Sequence, residues 1–300
     1  MLIAKRRALA VHRRLLKAYG QPVWRVRLPP LDELVSTLLS QSTNDRNRDR
    51  AFEQLRARFP TADASGTNPE SAPASSGGEH SSDPSAKPGV NWEAVRDAPL
   101  TQVVDAIRVA GLAKQKAPRM QQALRAITEE RGRLDLEFLA RLPAEEARAW
   151  LMKFKGVGPK TAAIVLQFSL GIPAFPVDTH IHRVSGRLGL RPPRASAEAS
   201  HAILAGLFPP SSYTTAHLNL IRLGREVCQA RRPRCEVCAL TDVCEYYEKV
   251  VAPSRRQAAK AAAKAAAKRR AGVAPGRRKD KRRSVKRSGT SRSSRHGRGA

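Results

Sequence analysis

Apolar residues recur along this chain at intervals of three and four, the spacing of one helix face. Over residues 1–20, Leu9, Val11, Leu15 and Leu16 mark a helix, and Pro22, Pro29 and Pro30 end it. Residues 32–59 read as one or two helices, carried by Leu34, Leu38, Leu39, Phe52 and Leu55. Helices resume at Trp92, and Val103, Val104, Ile107 and Val109 run up to a break at Gly111. A further helix is predicted over 117–131, then two short ones over 134–142 and 144–154. The run Ala162, Ala163, Ile164, Val165, Leu166 and Phe168 is another apolar helix. No segment shows the two-residue alternation of a half-buried strand, so the predicted class is all-α.

Two stretches break the pattern. Residues 60–91 hold almost no large apolar groups and are rich in Ser, Gly, Pro and Ala. Such a stretch cannot bury enough surface to offset its ordering entropy, and it reads as a disordered surface insertion. Residues 249–300 form a basic tail expected to be disordered. Within it, residues 256–268 place Lys260, Lys264 and Lys268 four apart among alanines, which predicts a transient basic helix.

Charge sharpens this picture. The 300 residues carry a formal net charge of +29. The last 50 residues contribute +17 of it, and the first 250 contribute +12. A field of this sign suits a polyanion such as DNA, RNA or an anionic membrane surface. No apolar run approaches membrane-spanning length. The basic start lacks the apolar core of a signal peptide, which with clustered thiols points to a reducing, intracellular setting.

All four cysteines, Cys228, Cys235, Cys238 and Cys244, fall within 17 residues as C-x6-C-x2-C-x5-C. Four thiolates in one short loop suit a metal or cluster site. The spacing departs from the paired C-x2-C motifs of a zinc ribbon and favours a [4Fe–4S] cluster, with zinc or two disulfides as the alternatives.

The segment Gly156-Val157-Gly158-Pro159-Lys160-Thr161 opens the apolar helix after residue 158. Its glycines allow a tight turn and close backbone approach, Pro159 suits the first helical position, and free N–H groups there can hold a phosphate. With the helix over 144–154 it makes a helix–hairpin–helix. By itself this turn is equally an ordinary interhelical connection, and Lys160 a solvated lysine. Asp178 in Pro176-Val177-Asp178-Thr179-His180 precedes a helix bearing Ile181, Val184 and Leu188, and reads first as an N-cap.

The order of these features is more specific than any one of them. A GVGPKTA turn, an aspartate 18 residues after the lysine, and then the four-cysteine loop resemble the endonuclease III family of base-excision DNA glycosylases over about residues 10–248. The resemblance implies a two-lobed helix–hairpin–helix glycosylase fold with DNA in the cleft. A six-helix barrel lobe would span 30–172, and an iron–sulfur lobe would join 1–29 to 173–248. It implies a monomer that removes damaged pyrimidines from duplex DNA and nicks abasic sites by Schiff-base β-elimination. Lys160 would be the nucleophile and Asp178 the catalytic carboxylate, with Gly156 and Gly158 in the hairpin. The four cysteines would hold the cluster, and Arg231, Arg232 and Arg234 would meet the phosphate backbone. Leu112 would fill the hole left by a flipped base, and Gln41 would face the orphaned partner. His180 and His182 read as helix residues near DNA.

The chain departs from that family at Phe154-Lys155, where Leu-Pro is usual, and at Ala113-Lys114, where Tyr-Asn is common. Both departures leave the lesion preference open. An adenine-removing mismatch glycosylase is a rival, but it lacks the lysine and needs a glutamate where Thr37 stands. A non-catalytic iron–sulfur DNA-binding protein is a second rival, opposed by the joint presence of Lys160 and Asp178.

Overall fold

The structure, a computed structural model, describes residues 2–23, 28–61 and 89–272, with side chains as far as residue 267. Its helices are α1 (Leu2–Tyr19), α2 (Pro30–Ser40), α3 (Asp45–Arg58), α4 (Trp92–Asp97), α5 (Leu100–Ala106), α6 (Ala113–Arg131), α7 (Ala144–Met152), α8 (Pro159–Ile164), α9 (Thr179–Arg187), α10 (Ala197–Ala205), α11 (Tyr213–Glu226) and α12 (Ala252–Gly272). The fold is all-α, and no strand occurs among the described residues.

Side chains written into the sequence start these helices. Asn44, Asn91, Asp178 and Ser196 each accept a backbone N–H from three residues on, capping α3, α4, α9 and α10. Pro30 and Pro159 occupy first-turn positions, where a missing N–H loses nothing. Helix α6 starts at Ala113, four residues earlier than the periodicity indicates, because Pro118 near its start forfeits only one backbone bond. The stretch 134–142 yields a 3₁₀ turn, Glu137–Arg141, in place of an α-helix. Helix α8 widens into a π-helical turn over Val165–Leu170 and stops at Gly171.

Burial divides into two cores. The first joins Leu34, Leu39, Leu55, Leu124, Leu151 and Leu166, each at most 1% exposed. Truncating one such leucine to alanine costs about 2–5 kcal/mol. The second joins Val11 and Leu15 of α1 to Val184 of α9, Leu204 of α10 and Leu220 of α11. Helix α1 is thereby packed beside the end of the four-cysteine loop, where Arg7 pairs with Glu245 and Arg14 with Asp242.

The edges of the insertion are corrected. Val90 is buried in the first core, Thr61 N–H donates to Gly89 at 3.1 Å, and Asn91 N–H donates to Phe59 at 2.8 Å. Its two ends therefore close against each other as an isolated antiparallel bridge between Pro60 and Val90. The disorder expected for the interior, residues 62–88, lies outside the described residues.

Residues 253–300 form a unit of their own. The helix foreseen over 256–268 runs as Ala252–Gly272, contains no acidic residue, and is exposed over residues 253–267. The remainder of the expected disordered tail, 273–300, lies outside the described residues.

Candidate active-site cleft

Helices α7 and α8 form the hairpin. Gly156 turns the chain with φ +92°, a value that disfavours any side chain, and a Cβ there would press on Arg119 Cδ at 3.2 Å. Gly158 differs. It is extended, and a Cβ would meet nothing within 4 Å, so its bare backbone faces open space. Helix α8 begins after it without a side-chain cap, and Lys160 is the second residue of that helix. Lys160 is exposed.

Asp178 caps α9 by accepting the Ile181 N–H at 2.7 Å, as its position predicts. Its carboxylate also borders a cleft of about 960 Å³, and Lys160 borders the same cleft. Gln41, His180 and His182 line it as well. Both histidines are held within the protein, His180 by Arg183 at 3.1 Å and His182 by the Ala195 carbonyl at 3.1 Å.

Two cleft residues escaped the sequence reading. His217 is buried, its Nδ1–H donates to the Pro176 carbonyl at 2.9 Å, and burial pushes its pKa down to about 4. The Asp178 charge opposes that fall and the Lys160 charge adds to it, so both groups act on this one ring. Glu33 is the second. Burial raises its carboxyl pKa while the Thr37 hydroxyl donates to it at 3.3 Å.

The loops carrying Gln41 and Leu112 lie side by side. Ser42 (φ 54°) and Leu112 (φ 51°) are the non-glycine residues with left-handed backbones among those described. For a residue such as leucine that conformation costs about 1–2 kcal/mol. Ser42, Thr43, Val109, Ala110 and Gly111 line one shallow concavity. Leu112 is 50% exposed, so it is not packed in the core, and it stands outside the cleft.

The cysteines ring a separate small cavity together with Val184, Leu223 and Tyr246. None is in a disulfide. Among the described residues, no group of three or more His, Cys, Asp or Glu closes on a point fit for one metal ion. Four thiols lining one small cavity are a donor set that fits an iron–sulfur cluster. Burial, with the neighbouring thiols, pushes Cys238 up to about 11, and burial raises Cys244. Such thiols ionise together only around a cationic centre. Arg187 ties the loop down, donating to the carbonyls of Gln229 and Ala230 at 2.7 Å and reaching Cys228 Sγ at 3.3 Å. Arg231, Arg232 and Arg234 are exposed on this loop and do not line the cleft.

Comparison with known proteins decides the family. The profile of the HhH-GPD superfamily of base-excision DNA repair proteins matches residues 35–210, more than half of the chain. The chain belongs to this superfamily. Endonuclease III of Thermotoga maritima is 31% identical over 220 residues, covering 73% of this chain and 84% of the relative. That similarity places the chain in the endonuclease III family. A candidate DNA glycosylase of Arabidopsis thaliana is 36% identical over 179 residues, and the chain spans only about half of that relative's length (51%). A solved complex of endonuclease III with DNA superposes with a TM-score of 0.62 at 25% identity, covering 82% of this chain and 97% of the other. In this HhH-GPD protein, the hairpin and the capped α9 bring an amine and a carboxylate to the border of one cleft.

Proposed function

We propose that this HhH-GPD protein is a bifunctional DNA glycosylase and abasic-site lyase acting on duplex DNA with damaged, oxidised pyrimidines. The observation that carries the reading is the joint presence of Lys160 and Asp178 on one open cleft. The basic charge of both parts of the chain supports the polyanionic substrate. The two hydrophobic cores would serve as lobes flanking the duplex, one built from 30–172 and one from 1–29 with 173–248, in a protein that acts as a monomer.

A base stacked in a duplex is out of reach, so the target nucleotide must first turn out into the cleft. The Lys160 amine, having given up its proton, then attacks the sugar C1′. The C1′–N-glycosidic bond breaks, and the base departs with its electron pair and takes up a proton. Loss of a proton from nitrogen and opening of the ring leave an iminium between Lys160 and C1′. Removal of a 2′ proton lets the C3′–O bond break, and the 3′ phosphate leaves. Water then hydrolyses the iminium and frees the lysine. Asp178 stabilises positive charge on the sugar and assists the proton transfers. The bare face of Gly158 lets a phosphate approach the start of α8.

Cys228, Cys235, Cys238 and Cys244 would hold a [4Fe–4S] cluster. When bound, that cluster organises the loop rather than taking part in the reaction, and it would present Arg231, Arg232 and Arg234 to the phosphate backbone. About four irons per chain, lost in Cys238→Ala, test this assignment.

The reading is tested with a duplex bearing a single oxidised pyrimidine. Release of the free base together with a nick at that position supports it. Release without a nick means a monofunctional glycosylase, and binding without release means a non-catalytic DNA-binding protein.

A further inference from the structure

Lys116, the fourth residue of α6 and four residues after Leu112, is 4% exposed. Its ammonium donates to the Leu39 carbonyl at 2.8 Å and to the Ala110 carbonyl at 2.8 Å. Its backbone N–H donates to the Leu112 carbonyl at 2.9 Å. Leu39 sits in the last turn of α2, directly before the loop of residues 40–43. Ala110 directly precedes Gly111 and Leu112. A single buried lysine is therefore the shared anchor of the two loops whose members, Ser42 and Leu112, hold left-handed backbones.

A buried ammonium is expensive to desolvate, and an apolar side chain of similar length would fill the same space more cheaply. Among the described residues, its partners are these two carbonyls and no carboxylate. What a lysine alone supplies here is a set of N–H donors that satisfies two carbonyls at helix ends, where unpaired acceptors and negative dipole ends coincide. Because one atom serves both loops, neither can shift without losing a bond to it. Strained backbone survives only where its surroundings over-determine it, and it concentrates at working sites.

We propose that Lys116 is a positioning residue that locks the 40–43 loop and the Gly111-Leu112 turn into one rigid wedge for the duplex. The inference rests on the glycosylase reading above. Lys116 touches neither substrate nor reacting atoms and acts through Leu112 and Gln41. A rigid wedge matters only where stacked bases must be parted. It is idle where the abasic sugar already lies among unpaired bases.

The test compares borohydride trapping on two DNAs with the same abasic site, one a closed duplex and one carrying that site in a bubble of unpaired bases with duplex flanks. Lys116→Met keeps the length of the stem and removes the donors. Trapping on the closed duplex is expected to fall at least about tenfold, equivalent to the loss of one good interaction, while trapping on the bubble stays near wild type. The loss should nearly vanish when the substitution is made in a Leu112→Ala background, since both changes disable the same wedge. An equal fall on both DNAs, or additive effects of the two substitutions, would overturn the proposal. Lys116→Gln, with an N–H donor on a shorter stem, serves the same comparison should the Met variant not fold. Wild-type protein that traps neither DNA would refute the Schiff-base lyase part of the reading above, a result distinct from failure of the wedge.

Discussion

The side-chain amide of Gln41 donates to the carbonyl oxygen of Gly156 at 2.8 Å. The loop that follows α2 is thereby latched to the hairpin turn, at the residue whose positive φ shapes that turn. Gln41→Leu would leave the Gly156 carbonyl without this donor and should cost about 1 kcal/mol of stability. Gln41→Glu should be worse, because a carboxylate would face a carbonyl oxygen. Thermal melting and duplex affinity of the two variants check this, and a glutamate as well tolerated as the native residue would refute the latch.

Asp178 holds two jobs that substitutions can separate. Asparagine also caps helices, so Asp178→Asn should keep α9 and stay within a few tenths of a kcal/mol (about 0.5 or less) of wild-type stability. It removes the charge, so turnover should fall about 100-fold or more. Asp178→Ala removes cap and charge together and should cost about 1 kcal/mol of stability as well. Chemical denaturation beside single-turnover kinetics reads the two effects. Equal stability losses in both variants would show that the charge, and not the cap, stabilises the fold.

His217 makes folding sensitive to mild acid. Its pKa falls from 6.5 to about 4 on burial. Below pH 6.5 the unfolded chain takes up a proton that the folded chain refuses. Stability from this group is therefore complete above about pH 6.5 and is lost progressively as pH falls toward 4. Between pH 7 and pH 5 the loss should be about 2 kcal/mol. Burial lowers the pKa of His12 and His201 as well, so the wild-type slope has further contributions of the same sign. Denaturation curves at both pH values should show a smaller drop for His217→Asn than for wild type. An identical drop would mean that this ring is not the group responsible.

The tail should act through charge alone. Chains ended at Ala252 lose residues that carry a net +17. Duplex affinity at low salt should fall, and the dependence of binding on salt should flatten, because fewer counterions are released. The melting temperature should stay put, since residues 253–300 are a separate unit. An unchanged salt slope would show that the tail makes no contact with the phosphates.

Much of the fold was legible because helix signals are local. The cap at Asp178, the proline at the start of α8 and the glycine at 156 each announce themselves within a few residues. The four cysteines were legible by their grouping. Lys116 and His217 were not, since their roles depend on distant backbone atoms of residues 39, 110 and 176. A signal did exist. Lys116 falls on the same α6 face as Ala113, Ala117, Met120 and Leu124, and His217 on the buried α11 face with Tyr213 and Leu220. A polar residue interrupting an apolar stripe is a buried group in need of partners. The exposure of Lys160 was also illegible, because it reflects an open cleft and not a sequence pattern.

The central assignment is most directly tested by borohydride trapping on duplex DNA with one abasic site, using wild-type protein beside Lys160→Gln. A covalent adduct with wild type and none with Lys160→Gln, at matched duplex affinity, is the result that Schiff-base chemistry at Lys160 requires. Trapping retained by Lys160→Gln would place the nucleophile on another amine and contradict the assignment.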